Sequence, residues 1–124
     1  MDRPNPYYVP SKRRPKMTSE AELAAWMLAE RTIEDPETGC LYWTGAAVNV
    51  GNVYGMVQGT NGVPDYCHRI IGRAYLGLQP DEVIDHVVSR GCSGLGLCIN
   101  PEHLEPTTQA ENIRRGQRWG KVAA

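Results

Sequence analysis

A carboxylate and an imidazole stand side by side at Asp85-His86, an amide follows at Asn100, a further imidazole at His103, and another amide at Asn112. These residue types suit hydrolysis assisted by a divalent ion. Asp85 offers a hard oxygen ligand, His86 titrates near neutral pH, and the Asn112 amide oxygen can complete the protein's share of the ion's ligands. Such hydrolysis requires a deprotonated water and stabilised charge on the attacked group and on the leaving oxygen. A neutral imidazole does the first. An ion such as Mg²⁺, held by one or two protein oxygens and retaining most of its waters, does the second. Adjacent strand residues point to opposite faces, so a flat sheet would separate Asp85 from His86. Acting together, they need a neighbour that fixes the imidazole.

The order carboxylate, base and amide resembles the HNH nuclease family over roughly Cys40 to Gly116, most of the chain. The resemblance implies a ββα-metal core, two antiparallel strands and a helix around one ion, acting on DNA. It assigns Asp85 and Asn112 as ligands of the catalytic ion, Mg²⁺, Mn²⁺ or another transition metal, and His86 as general base. Asn112 matches within Gln109-Ala110-Glu111-Asn112, the helix-borne element of the phage homing-endonuclease branch. Two residues compete to hold the base: Asn100 by residue type, and His103 by its place before Leu104. In other branches the last position is a His, so His103 as a direct metal ligand stays open.

Four cysteines in an intracellular chain read as metal ligands before disulfides. Cys92 and Cys98 bracket a glycine-rich loop. The upstream Cys40-Leu41-Tyr42-Trp43-Thr44-Gly45 is similar to a signature of phage members that look zinc-stapled. A structural zinc takes four thiolate or imidazole ligands. The resemblance implies Cys40, Cys92 and Cys98, with His68 favoured as the fourth through the Tyr66-Cys67-His68-Arg69 match, and Cys67 as the alternative. An all-cysteine site would free His68 to touch phosphate beside Arg69.

The elements that must position these groups fit one small α+β domain in a chain of 124 residues. Residues 1–17, rich in proline and charge, read as a disordered basic arm, 18–116 as the nuclease domain, and 117–124 as a basic tail. Ser19 with Glu22 forms a capping box for a helix over roughly 20–31. Strands are expected at 41–44, 53–58 and 63–67, the last two as a hairpin, followed by a helix over 68–76. The catalytic strands are expected at 83–88 and 97–99. Pro101 suits a helical first turn, and Thr108 with Glu111 caps a final helix ending near Gly116.

The net charge of −1 hides an uneven distribution. Arg3, Lys12, Arg13, Arg14 and Lys16 crowd one end and Arg114, Arg115, Arg118 and Lys121 the other, while every acid but Asp2 lies between Thr18 and Ile113. Basic ends suit sequence-independent phosphate contacts. The expected DNA-binding set is Arg13, Arg14, Arg69, Arg73, Arg114 and Arg115. No apolar run is long enough to span a membrane, and no signal-peptide segment stands at the N-terminus. The default expectation is a monomer or weak dimer in the cytoplasm, that of the host if the chain is phage-encoded. Two other functions remain open: a zinc-stabilised module that binds DNA and recruits a phage packaging or recombination partner, and a toxin-like nonspecific nuclease.

Overall fold

Ser19 opens the first helix as its sequence predicts: its hydroxyl accepts from the Glu22 amide at 3.1 Å, satisfying one of the donors a helix start leaves unpaired. The helix, α1 (Glu20–Glu30), buries Leu23, Ala24 and Met27. Its capping geometry comes from the computed structural model, which describes residues 4–10 and 13–119, with side chains described as far as Arg115.

After α1 come β1 (Thr32–Glu34), β2 (Leu41–Trp43), β3 (Ala47–Asn49), β4 (Val53–Gln58) and β5 (Pro64–Tyr66). Then follow α2 (Cys67–Tyr75), β6 (Val83–His86), β7 (Leu104–Thr107) and α3 (Gln109–Trp119). All pairing is antiparallel: β1 with β2, β4 between β3 and β5, and β6 with β7. The chain is thus a small α+β domain. Its core gathers Leu23 and Met27 of α1 and Ile70 and Ile71 of α2 with Leu97, Ile99 and Leu104. The strands β1 and β3 carry no strong alternation and escape the sequence reading. Among the described residues, no helix is long and apolar enough to cross a membrane.

The second strand beside Asp85 and His86 is a correction. Residues 97–99 form no strand with β6. They run along β2 instead, where Ile99 donates to Leu41 O at 2.8 Å and Trp43 donates to Leu97 O at 2.9 Å. Asn100 and Pro101 then turn the chain through a 3₁₀ segment, Pro101–His103, and only after it does β7 return to pair Asp85 with Glu105 and His86 with Leu104. Residues 97–99 are wholly buried, so their apolar side chains go where the core needs them. Pro106 is tolerated opposite Ile84 because β7 is an edge strand. β6 also ends earlier than expected, at His86, where Val87 donates to His103 O at 2.8 Å.

The N-terminal segment also departs from expectation. It lacks regular structure, yet its described residues do not form a free arm. Asn5 is 4% exposed and donates through Nδ2 to Trp43 O at 2.7 Å and Gly45 O at 2.9 Å. Tyr7 stacks on Tyr42 with centroids 4.4 Å apart, and Arg14 donates to Gln58 O at 2.6 Å. Proline-rich composition excludes helix and strand there but not burial of a few anchoring side chains. The basic tail expected over 117–124 begins as the last turn of α3, and residues 120–124, with Arg3 and Lys12, lie outside the described residues.

Replacing Asn5 by Ala leaves two buried carbonyls unpaired. Each such loss costs ~1–3 kcal/mol, so Asn5→Ala should lower the denaturant midpoint clearly. An unchanged midpoint would return the segment to the status of a free arm.

Candidate functional site

Two polar centres share the wall formed by the 92–104 connection. One is a cage of donors. The Sγ atoms of Cys40, Cys92 and Cys98 and a ring nitrogen of His103 all lie within 4.8 Å of one another, and all four residues are buried. Cys40 stands just before β2, Cys92 and Cys98 end the glycine-rich loop, and His103 closes the 3₁₀ turn. Among the described residues this is the group of three or more Cys, His, Asp or Glu side chains able to hold a metal ion.

The donor spacing fits a tetrahedral ion such as zinc. With Zn–S near 2.3 Å and Zn–N near 2.0 Å, ideal geometry places sulfurs roughly 3.8 Å apart and sulfur and nitrogen roughly 3.5 Å apart. The observed separations are 3.9 Å for Cys40–Cys92 and 3.6 Å from His103 Nδ1 to both Cys40 and Cys98. Backbone amides already face the sulfurs: Ser93 N donates to Cys40 and Gly94 N to Cys92, each at 3.4 Å. Burial opposes ionisation of Cys40, but hydrogen bonds from Thr38, Ser93 and Tyr42 outweigh it and hold the thiol below its usual range. Cys98 is pushed upward by the adjacent Cys92 sulfur and by burial. Crowded thiols of this kind resist losing their protons together unless a cation compensates the charge.

The cage therefore corrects one expected ligand. His68, favoured as the fourth, is elsewhere, and so is Cys67, which is sealed in the core. His103 completes the set. The reason is positional: the 3₁₀ turn started by Asn100-Pro101 carries His103 back over Gly39 and the cage, while His68 leaves on the first turn of α2. Asn100 is the structural residue of that turn. Its Oδ1 accepts from Glu102 N at 3.0 Å, and its Nδ2 donates to Gly39 O at 2.7 Å.

The other centre is a cleft of about 250 Å³ whose lining includes Tyr54, Tyr66, His68, Asp85, His86 and Asn112. β6 supplies Asp85 and His86, and α3 supplies Asn112 after Thr108 caps it by accepting from Glu111 N at 3.2 Å. Asp85, His86 and Asn112 thus line one cavity. His86 Nε2 donates to Cys98 O at 3.1 Å. Because a carbonyl can only accept, this bond places the proton on Nε2 and leaves Nδ1 as the basic nitrogen. The imidazole is thus held by a backbone carbonyl, whereas the side chains of Asn100 and His103, the two expected holders, are engaged in the turn and the cage. No sequence signal marks a carbonyl, so this partner could not have been read in advance.

Charge around the cleft is partly committed. Asp85 is 3% exposed and receives Arg115 Nη1 at 3.2 Å, which also reaches Glu105 at 3.1 Å. Arg69 lines the cleft and donates to Glu82 O at 2.9 Å. Arg73 does not reach it: Glu20 at 2.9 Å and Asp65 at 2.6 Å hold its guanidinium. Arg114 pairs with Glu111 on the exposed side of α3 at 3.0 Å. Arg13 is exposed, and Arg14 sits over the Trp26 ring at 5.8 Å. The expected basic set is therefore dispersed, with Arg69 and Arg115 beside the cleft. Tyr54 and Tyr66, which line it, were missed because an aromatic residue in a half-buried strand reads as ordinary core.

His68 packs among these rings and is driven far from its ordinary titration. Burial, then the nearby His86 and Arg69, lowers its pKa to about 3.

No family model and no solved structure matches the chain. It is similar to "Protein 2.8" of Escherichia phage T7, with 38% identity over 81 residues. The match takes in 64% of this chain, which spans about half the length of that curated relative.

Two outcomes test this arrangement. If the cage holds zinc, His103→Ala and Cys92→Ser should release the metal and lower the thermal midpoint strongly, since structural zinc contributes ~10 kcal/mol or more in small zinc domains. His68→Ala should keep metal stoichiometry in elemental analysis, and zinc loss from that variant alone would reverse the ligand assignment. The second concerns acid. A histidine whose folded pKa is depressed favours folding above its unfolded pKa of about 6.5, and that contribution is lost as pH falls toward about 3. His68→Gln should flatten that part of the stability–pH curve; an identical slope would mean that His68 is protonated equally in both states.

Proposed function

We propose that this phage-related chain is a metal-dependent DNA endonuclease of HNH type, stapled by zinc in the Cys40, Cys92, Cys98 and His103 cage. The observation that carries this reading is the convergence of Asp85, His86 and Asn112 on one cleft, with the His86 tautomer set by the Cys98 carbonyl.

His86 Nδ1 takes a proton from water as the resulting hydroxide attacks phosphorus. The bond from phosphorus to the 3′ oxygen breaks, and that oxygen takes a proton from solvent water, giving a 3′ hydroxyl and a 5′ phosphate. Asp85 and Asn112, which both line the cleft, would supply two oxygens, a set suited to an ion such as Mg²⁺ or Mn²⁺ that keeps most of its waters. Such an ion, when bound, would stabilise charge on the phosphate and the leaving oxygen. Arg115, already against Asp85, and Arg69 at the cleft place positive charge where the DNA backbone must pass. Phosphate contacts of this kind position a duplex without reading its sequence.

One observation favours a second reading. The ion pair between Arg115 and Asp85 neutralises the carboxylate without a metal, as a zinc-stabilised module that binds DNA and recruits phage packaging proteins would require.

Plasmid cleavage separates the two. The parent protein should nick or cut plasmid with Mg²⁺ or Mn²⁺ and stop with chelator. His86→Ala, folded by circular dichroism, should lose ~10²–10⁴-fold in rate as expected for a missing general base. DNA binding without any metal-dependent cleavage would favour the recruitment module, and His86→Ala cutting at the parent rate would remove the base assignment.

A further inference from the structure

His68 is the one cleft imidazole to which neither the cage nor the proposed base chemistry gives a task. It stands on the first turn of α2, with its ring 5.0 Å from Tyr54, 5.4 Å from Tyr66 and 5.7 Å from His86. Its Nδ1 is sealed from solvent with no hydrogen-bond partner. A proton on that atom would be a buried donor without an acceptor, which costs ~1–3 kcal/mol, whereas an unpaired acceptor is tolerated more often. The proton therefore belongs on Nε2, the nitrogen left to the cleft that His68 lines.

We propose that His68 is a substrate-binding residue of the cleft, donating its Nε2–H as a neutral hydrogen bond to a non-bridging oxygen of the scissile phosphodiester. The assignment rests on the nuclease reading above and extends it to a residue outside the Asp85, His86 and Asn112 set. Two neighbouring imidazoles then have opposite tautomers and separate tasks. His86, whose proton the Cys98 carbonyl holds on Nε2, has its unprotonated nitrogen, Nδ1, as base. His68, with Nδ1 bare and sealed, offers a proton that it does not give up. Burial among Tyr54, Tyr66 and His86 keeps His68 uncharged, so it does not repel the imidazolium that forms on His86. A donor fixed before substrate arrives needs no reorganisation as charge develops on the phosphate, which is how preorganised donors accelerate such reactions.

The alternative is that His68 only fills space between the two tyrosines, and two variants separate these roles. His68→Phe keeps an aromatic ring and removes the donor; His68→Gln keeps a donor. On a duplex carrying a single phosphorothioate at the cleaved position, the parent should cut one sulfur diastereomer more slowly, because sulfur is the poorer acceptor. His68→Phe should cut the ordinary phosphodiester ~10²–10³-fold more slowly, the usual loss for one such donor. It should also lose that part of the diastereomer preference, while His68→Gln retains more of both. A His68→Phe variant that cuts at the parent rate, or keeps the full diastereomer preference, overturns the proposal. So does loss of activity in His68→Gln equal to that in His68→Phe.

A binding measurement keeps this test apart from the nuclease reading. In ¹⁵N-histidine spectra of the whole chain, recorded with chelator and a short DNA duplex, the His68 Nε2–H signal should move downfield on adding DNA. Movement without cleavage under any metal would remove the nuclease reading and leave His68 as a phosphate contact. Cleavage with an unmoved His68 signal would leave the nuclease and remove this contact.

Discussion

Four donor atoms from residues 40, 92, 98 and 103 must meet in a space under 5 Å across, and most of what surrounds the candidate site follows from that closure. A domain this small buries a modest core, so a staple joining distant segments has a large effect on which loop conformations survive. The cage ties the start of β2 to both ends of the glycine-rich loop and to the 3₁₀ turn before β7. Each tie removes freedom from a segment that has no regular structure of its own.

The cage and the cleft are connected through the backbone. Cys98 turns its sulfur to the cage and its carbonyl to His86. His103 gives its ring to the cage and its carbonyl to Val87, the residue after the proposed base. Two of the four cage residues thus hold the end of β6 from either side. A side chain could have held the imidazole as well, but a carbonyl brings a specific advantage: it has no donor form, so it leaves no doubt about which ring nitrogen carries the proton. That constraint also explains why the wide 92–98 loop is not merely a connection. Its conformation sets the position of the acceptor.

Among the described residues, charge in the cleft is balanced locally. Asp85 and Glu105 share Arg115, while Arg73 is consumed by Glu20 and Asp65. A buried carboxylate such as Asp85 needs a compensating partner, since an unpaired charge there would be expensive to desolvate. Under the proposed function, Arg115 meets that need before an ion arrives and stands near phosphate afterwards. The tyrosines Tyr54 and Tyr66 complete the cleft with apolar walls, which keep His68 neutral and strengthen polar contacts made inside.

Local signals were legible in the sequence: the Ser19 and Thr108 caps, the β4–β5 hairpin and α2. These depend on residues within a few positions of one another, where hydrogen bonding and side-chain periodicity act directly. The grouping of Cys40, Cys92 and Cys98 came from the family resemblance, since thiolate chemistry alone would have admitted Cys67 as well. Tertiary structure decided the rest. It chose His103 over His68 for the cage, seated residues 97–99 on β2 instead of β6, drew Asn5 into the domain, and gave His86 a carbonyl partner. Each of these depends on contacts between segments far apart in the chain, and their outcome is set by which burial satisfies the whole core, a quantity that no short stretch of sequence carries.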